Sequence, residues 1–389
     1  MRLKIKAINL LIALVLLMTL CFSIFYFYSL ISPSSNVTTL QIPENESEVP
    51  IELLGWWERT YTGPINYSRI VPKENSELIL HKSYKYLDPE RYQRLIDNPD
   101  FKPTFSIGVV TFEDLFEKYR EWNPGLNLNN PQEQFFIQIE HITAEHELNF
   151  ILKLFYNYEE VYFQVGNSIE YVTEFLFSPQ PNGVSGIPIT LHNSLEKNNY
   201  ANRLTVGIFL NPEMHTDYDE DLIWQMNSLM VNFEINFGNR ENLPLITNSQ
   251  PRNIMNIQMN TLMINQEFTK RTNDGARQPD TIVAYPNEII ELALSTQPHS
   301  FLKDDLHSFL VISMLDWKQI DMNGLPFLMY NVSYEDRLAT FHDVFTIIAP
   351  NEPGMYEFIA FVIPNPGDKN TITNFYPMEM SMRFTIIVE

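Results

Sequence analysis

Two histidines and three glutamates stand within eight positions, in the stretch EHITAEHE at residues 140 to 147. Imidazoles and carboxylates are common zinc ligands and general bases, so a metal site is the first interpretation to test. The zinc motifs H-E-x-x-H and H-x-x-E-H both fail at this spacing. On a helix, His141 and His146 would point about 140° apart, which rules out a shared ion there.

A β-hairpin accommodates this stretch better. If residues 142–145 form a four-residue turn, Ile139 faces Leu148 and Ile137 faces Phe150, which gives an unbroken apolar ladder. The stretch therefore predicts two neighbouring strands that are paired with each other.

The same register places His141 opposite His146 at an exposed strand end. Glu140 and Glu147 then point to the other face of the strands, so the stretch supplies no third ligand. We interpret it as a structural hairpin that binds no stoichiometric zinc, and we expect His141→Ala to change stability by no more than about 1 kcal/mol.

Three aspartates, Asp217, Asp219 and Asp221, alternate with other residues in the stretch HTDYDEDL. Calcium prefers such oxygen ligands, but the EF-hand pattern fails, because Leu222 stands in place of its glycine and Ser228 in place of its last glutamate. These aspartates are the metal candidates of the chain, with calcium as the ion and a solvated acidic loop as the alternative. No catalytic or cofactor-binding residue is predicted.

Other chemistry-bearing residues favour structural interpretations. Asp305 and His307 lack a nucleophile or a third ligand and indicate a loop that enters a strand. Trp56 and Trp57 could stack on a sugar ring, but in a strand only one of them can face outward. The nucleophile elbow and the kinase motifs are absent. The 48 acidic residues supply carboxylate pairs for glycoside hydrolysis by chance alone.

The amino-acid composition excludes several classes of partner and of metal site. The formal net charge is -22, which repels phosphate backbones and argues against nucleic acid. The single cysteine, Cys21, excludes an intrachain disulfide and thiolate-rich metal sites. Hydrophobic residues make up 44% of the chain, which is enough to build folded cores.

The N-terminal residues predict where in the cell the chain is located. Residues 7–31 contain no charge and, as a helix, are long enough to cross a bilayer. Because Arg2, Lys4 and Lys6 precede this run, we expect a membrane anchor with a cytoplasmic N-terminus and the bulk of the chain outside. A removed signal segment over residues 1–31 is the alternative. A polar linker follows at residues 32–50.

The remaining chain divides into a first domain at 51–244 and a second at 245–389. Helices are predicted at 88–97, with Asp88 as N-cap, and at 111–122, with a capping box at its start. Alternating hydrophobicity predicts strands at 148–155, 159–165, 169–177, 203–210, 229–237, 254–266, 281–294, 307–317, 325–331, 341–349, 355–363 and 381–388.

One strand shows the alternation most clearly. In residues 229–237, Leu229 and every second residue after it are apolar, whereas Met230 and Asn232 fall on the face predicted to be wet. The pattern of many short strands predicts a mainly β protein of two β-sandwiches, with a few helices in the first.

The second domain resembles an immunoglobulin-like β-sandwich. The stretch APNEPGMYEFIAFVI at 349–363 contains the Pro-Gly-x-Tyr turn typical of a tyrosine corner. The resemblance implies that Tyr356 is the corner tyrosine and that Trp317 lies on the strand supplying the core tryptophan. Phe358 stands where antibody domains have their second cysteine. This fold is shared by proteins of many functions.

Two classes of function follow. The first is a membrane-anchored extracytoplasmic protein for binding, adhesion or envelope structure, without catalytic activity or cofactor, whose partners are the membrane and a protein or glycan ligand outside. The alternative is an anchored glycan-acting hydrolase or an accessory subunit of a membrane complex.

Overall fold

The computed structural model describes residues 77–97, 104–117, 125–142, 148–192, 195, 203–212, 228–237, 255–256, 263–266, 281–296, 308–331, 341–366, 379–380 and 383–389. The chain forms two compact units, Met1–Pro50 and Ile51–Glu389, and all described residues belong to the second. The linker and the boundary at residue 244 lie outside the described ranges. Within those ranges no helix has the length and apolar composition to cross a bilayer; the expected anchor at 7–31 lies outside them.

The described part is mainly β, as predicted. The strands of its first half are β1 Leu80–Ser83, β2 Thr104–Val110, β3 Gly125–Leu128, β4 Phe135–Ile142, β5 Phe150–Tyr156, β6 Glu159–Glu160, β7 Phe163–Val165, β8 Glu174–Phe177, β9 Gly183–Leu191, β10 Arg203–Leu210 and β11 Ser228–Phe237. Those of its second half are β12 Met255–Asn256, β13 Met263–Gln266, β14 Thr281–Ala284, β15 Ile289–Thr296, β16 Ser308–Leu315, β17 Lys318–Ile320, β18 Leu328–Asn331, β19 Phe341–Ile348, β20 Gly354–Pro364, β21 Glu379–Met380 and β22 Phe384–Val388.

These strands form four sheets. Sheet 1 has the order β1-β9-β4-β2, with β7 also on β9, and sheet 2 has the order β3-β11-β10-β5-β6, with β8 also on β5. Sheet 3 has the order β14-β22-β20-β16-β17, with β18 on β16 and β21 on β20, and sheet 4 has the order β12-β19-β15-β13. Sheets 1 and 2 enclose one apolar core and make up the first sandwich; sheets 3 and 4 enclose a second core and make up the second sandwich.

The predicted hairpin between β4 and β5 is wrong. β4 pairs with β2 and β9, so Ile139 faces Ile107 and Ser185 in sheet 1. β5 pairs with β6, β8 and β10 in sheet 2. The apolar residues that would have met across a hairpin ladder, Ile139 and Leu148 among them, instead belong to one core between two sheets. The alternating hydrophobicity correctly identified which side chains point inward. It could not show whether the two strands pair in one sheet or face each other from two sheets, because both sheets of a sandwich have the same alternation.

A third apolar cluster joins the two sandwiches, and we call it the junction. It lies between the outward faces of sheets 2 and 3 and consists of Ile151, Phe155, Tyr158, Phe209, Met230, Leu310, Ile312, Met314, Trp317, Phe327, Ile359, Phe361 and Ile363. The sheets therefore stack as four layers, and sheets 2 and 3 are buried on both faces. This is why Met230 and Asn232, predicted to be wet, are only 4% and 7% exposed.

Hydrogen bonds cross the same junction. Tyr158 donates to the carbonyl of Pro366 at 2.8 Å, and burial raises the pKa of this phenol to about 12, so it stays a donor. Gln319 of the second sandwich accepts from the Glu160 amide at 2.7 Å and donates to the Tyr158 carbonyl at 2.9 Å. Each of these hydrogen bonds joins one sandwich to the other. Because hydrogen bonds are directional, they fix the position of one sandwich against the other across the apolar contact.

Arg383 closes one side of the junction. Its guanidinium lies 4.8 Å from the ring centroid of Trp317 and donates to the Leu210 carbonyl of the first sandwich at 3.1 Å. Its Nε lies 3.6 Å from a carboxylate oxygen of Glu357, and both side chains are almost fully buried. A stacked, paired guanidinium suits such a desolvated position better than a lysine would.

Trp317 is not the core tryptophan of the second sandwich. Asp316 and Trp317 form the two-residue turn between β16 and β17, and both have positive φ, 51° and 65°. Such a conformation is costly for a bulky side chain. The ring is 1% exposed and its centroid is 5.1 Å from that of Phe209, so it belongs to the junction.

Two short helices, α1 Tyr84–Leu87 and α2 Pro89–Ile96, follow β1. The predicted N-cap of α2 is confirmed, because the Arg91 amide donates to Asp88 Oδ1 at 3.1 Å. The helix predicted at 111–122 is wrong in its described part. Residues 112–117 form turns, and Phe116 has a φ of 69°, which a right-handed helix excludes. The capping contact between Thr111 and Asp114 is nevertheless present.

Candidate functional site: a histidine–serine cluster

His141 lies beside His81, a residue that no motif in the sequence singles out. His81 on β1 pairs with Ser185 on β9, and His141 on β4 pairs with Gly183 on the same strand. All three polar side chains therefore project from the inward face of sheet 1, near Phe150 of the opposing sheet. We call His81, His141 and Ser185 the histidine cluster.

Gly183 makes this arrangement sterically feasible. A Cβ atom added to it would lie 2.6 Å from the Lys82 carbonyl oxygen and 2.8 Å from His81 Nε2. The imidazole of His81 thus occupies the space above Gly183 that any other residue would fill with its side chain. That position brings the ring towards His141, with 5.7 Å between the two ring centroids.

Ser185 connects the two rings. His81 Nδ1 lies 3.2 Å from its Oγ and His141 Nε2 lies 2.9 Å from it. Ser185 and His141 are completely buried, whereas His81 on the edge strand is half-buried. Of the atoms in the described ranges, none hydrogen-bonds to the outer nitrogens, His81 Nε2 and His141 Nδ1.

Both histidines are neutral near pH 7. Burial, and to a lesser degree the neighbouring His81, lower the pKa of His141 from 6.5 to about 3. Burial also lowers the pKa of His81. The serine hydroxyl is inaccessible to a large substrate, so the cluster does not have the open geometry of a nucleophilic hydrolase. The cluster is instead a set of three uncharged side chains that hydrogen-bond to one another.

Glu140, the residue before His141, points to the opposite face of sheet 1, as predicted. There it accepts hydrogen bonds from Tyr84 and Ser106 and pairs with Arg91. The guanidinium of Arg91 also lies 5.0 Å from the ring centroid of Tyr84. This network fastens α1 and α2 to the sheet and contributes no ligand to the histidine cluster.

The other predicted site residues lie outside the described ranges. These are His146 and Glu147, the aspartates at positions 217, 219 and 221, Asp305 with His307, and the tryptophans at 56 and 57. No group of three or more His, Cys, Asp or Glu side chains close enough to hold a metal ion occurs within the part of the chain that is described.

The hydrogen bond predicted for the Tyr356 hydroxyl is confirmed. The hydroxyl of Tyr356 donates to the Glu352 carbonyl at 2.8 Å, four residues upstream, and the half-buried ring packs against the core of the second sandwich. Phe358, at the position of the antibody cysteine, is completely buried in the same core. This is a structural device that braces the entry into β20.

Sequence reasoning missed His81 and Ser185. They are 104 positions apart, and His81 is 60 positions before His141, so no local spacing connects them. One signal was available in Gly183, the first residue of β9, because a glycine in a strand often marks close approach of another group.

Comparisons with known proteins identify no family. No protein-family model and no curated protein matches the sequence. The chain is similar to the C-terminal domain of the Streptococcus agalactiae AgI/II polypeptide BspA, with 7% identity over 73% of this chain and 100% of that one and a TM-score of 0.21. It is similar to the C-terminal domain of the Streptococcus pyogenes antigen I/II-family protein AspA, with 8% identity over 74% and 99% and a TM-score of 0.19.

It is also similar to fibronectin(III)-like modules of Clostridium thermocellum CbhA, with 10% identity over 73% and 93% and a TM-score of 0.18. TM-scores at this level carry no argument about function. The β-sandwich architecture therefore rests on the sheets and cores described above.

Proposed function

We propose that the chain is a membrane-anchored extracytoplasmic protein for binding, adhesion or envelope structure, without catalytic activity. The observation that supports this most is the junction, because it makes the two sandwiches one body. Relative motion of neighbouring domains is the default unless their interface is large and hydrophobic. Here the interface is an apolar core with hydrogen bonds across it.

A rigid pair of sandwiches suits a protein that presents a surface. Ligand binding to a surface held in one orientation avoids the entropy cost of ordering it, so preorganisation strengthens the interaction. Sheet 1 and sheet 4 are the outer layers. Because α1 and α2 cover part of the outward face of sheet 1, the outward face of sheet 4 and the loops at the sheet ends are the places for a protein or glycan ligand.

The proposal includes an immunoglobulin-like fold for the second sandwich. In sheet 3, the order β22-β20-β16 has the arrangement of the last, penultimate and third strands of that fold. The corner tyrosine stands at the entry to the penultimate strand, as the resemblance implies. Such sandwiches are widespread in binding modules, although the fold alone does not specify a ligand.

Membrane anchoring is supported by the sequence. The uncharged run at 7–31 follows three basic residues, and the remaining chain is strongly acidic. This asymmetry favours a cytoplasmic N-terminus. The polar linker at 32–50 would then separate the sandwiches from the bilayer.

Protease treatment of intact cells tests the orientation. We expect protease added outside to remove most of residues 35–389, while a cytosolic marker protein stays intact. Permeabilised cells provide the control that the chain is cleavable. Protection in intact cells together with digestion in permeabilised cells would contradict the proposal.

A further inference from the structure

We propose that the first sandwich binds an uncharged polysaccharide on the outward face of sheet 1, at the end where β7 pairs with β9. Six side chains make up this surface, which we call the aromatic platform: Phe112, Tyr162, Gln164, Tyr171, Thr190 and His192. The inference rests on the proposed binding function. It narrows the ligand to a glycan and places it on the part of sheet 1 that α1 and α2 leave exposed.

Strand alternation directs the platform side chains outward. Phe163, the first residue of β7, lies in the core of the first sandwich. The side chains before and after it, Tyr162 and Gln164, therefore point to the other face of sheet 1. Gln164 pairs with Thr190 on β9, and the His192 amide donates to the Tyr162 carbonyl at 3.1 Å. Because paired residues share a face, these four side chains lie side by side on the outward face.

Aromatic rings flank the polar side chains of the platform. Tyr162 is 58% exposed and Phe112 is 69% exposed. The rings of Tyr171 and His192 meet edge to face, with 4.5 Å between their centroids. Phe112 packs against Phe136 of β4, with 5.8 Å between the ring centroids. Rings held by neighbouring rings lose little freedom when a ligand binds, which strengthens the interaction.

The platform is long enough for a chain of sugar rings. Phe136, which carries Phe112, pairs with Pro188 on β9. Pro188 is four residues before His192 on the same face, so the two ends of the platform are about 13 Å apart along the strand. This length favours an oligosaccharide or polysaccharide over a monosaccharide.

The side chains match the chemistry of a pyranose ring. One face of such a ring carries C–H groups, which pack on the negative face of an aromatic ring. The hydroxyls around its rim need donors and acceptors, and the Gln164 amide with the hydroxyls of Thr190 and Tyr162 supplies both. An apolar protein surface would instead cover these polar groups without giving them partners, which is costly.

Charge selects among glycans. The platform contains no Asp, Glu, Lys or Arg, and the chain as a whole has a net charge of -22. An acidic polysaccharide would therefore meet long-range repulsion and find no cationic side chain on the platform to pair with. The glycan that fits is uncharged.

A glycan array tests the ligand class. The full chain, in a detergent without a sugar headgroup, is applied to oligosaccharides of glucose, mannose, galactose and N-acetylglucosamine, with oligogalacturonate as the acidic comparison. We expect binding to at least one uncharged oligosaccharide and none to oligogalacturonate. Absence of binding to every uncharged oligosaccharide would overturn the inference. It would leave the proposed function standing, because a protein ligand and the protease test of orientation do not depend on it.

Variants test the location, with the affinity for the bound oligosaccharide measured by titration calorimetry. Tyr162→Ala and Phe112→Ala should each weaken it by at least about tenfold, whereas Tyr162→Phe keeps the ring and should retain most of it. Tyr86→Ala, which removes an exposed ring on α1 outside the platform, should leave the affinity unchanged. Circular dichroism reports folding, and since both platform rings are largely exposed, either alanine variant alone decides the question.

A change on the other outer layer separates the two proposals. Ile348 is exposed on the outward face of sheet 4, away from the platform, so Ile348→Ser should leave glycan binding unchanged. Glycan binding that is lost in Ile348→Ser but kept in Tyr162→Ala and Phe112→Ala would refute the platform while supporting a binding function at sheet 4.

Discussion

The junction predicts that the two sandwiches unfold together, and Met230→Asp tests this. Met230 is 4% exposed on the outward face of sheet 2 and belongs to neither sandwich core. Loss of the buried methionine side chain removes about 1.5–3 kcal/mol of hydrophobic stabilisation. Placing an unpaired polar group among apolar side chains costs about 1–3 kcal/mol more. The coupling between the sandwiches should therefore weaken by about 2.5–6 kcal/mol, while both cores stay intact.

Differential scanning calorimetry of the full chain in detergent measures the effect. We expect one cooperative transition in the wild type and two in Met230→Asp, with the first at a lower temperature. Met230→Leu keeps the volume and should cost less than about 1.5 kcal/mol, with a single transition. A Met230→Asp protein that melts once, at the wild-type midpoint, would mean that this face is solvated and that the junction does not exist.

Three further predictions concern single sites. Tyr356→Phe should lower the free energy of unfolding by about 1 kcal/mol through the lost hydrogen bond. Tyr356→Ala should lower it by about 2–3 kcal/mol, because the ring is only half-buried and leaves a smaller cavity than a core aromatic residue would. Denaturant melts measure both, and a neutral alanine variant would contradict the packing of Tyr356 against the core. Gly183→Ala should cost about 1–3 kcal/mol by displacing His81, whereas Gly108→Ala, with open space around its Cβ, should be nearly neutral in the same melts. The pKa of His141 is about 3 in the folded state and 6.5 in the unfolded state, so its contribution to stability is complete above pH 6.5. Below pH 6.5 the unfolded state gains a proton that the folded state does not, so the free energy of unfolding should fall by about 1.4 kcal/mol per pH unit towards pH 3. His141→Gln should flatten that slope, and parallel profiles of the two proteins would refute the prediction.

The burial of His141 also corrects an expectation from the sequence. His141→Ala was expected to cost no more than about 1 kcal/mol at an exposed strand end. The side chain is instead completely buried, so the loss should exceed that value. The expectation that the chain binds no zinc rested on the same hairpin and stays a prediction.

The strands were largely predictable because alternation is a local property. The strand at 203–210 was predicted with its exact limits, and the run at 355–363 differs by one residue at each end. The predicted strand at 281–294 is two strands, β14 and β15, separated by a turn and placed in different sheets. The turn contains Pro286, which marks the break.

The pairing of strands was not predictable in the same way. β9 was missed because it contains two glycines and a proline, residues that argue against a strand, although it is the central strand joining β1, β4 and β7. The junction was missed for a related reason. In a sheet that is buried on both faces, the outward-facing residues are apolar as well, so the alternation weakens. A single methionine such as Met230 also occurs on protein surfaces and therefore gave no signal of a second buried face.

The two-sided burial of sheet 2 has a consequence for biosynthesis. The first sandwich emerges from the ribosome before the second exists, and until then Ile151, Phe155, Phe209 and Met230 face solvent. At about 5–20 residues per second, the roughly 150 residues after β11 take on the order of 10–30 s to make. During that interval an apolar sheet face is available to aggregate, so a chaperone must cover it or the nascent chain must be held apart from its neighbours. A truncated chain ending near residue 237 would keep this exposure permanently and should accumulate as insoluble protein.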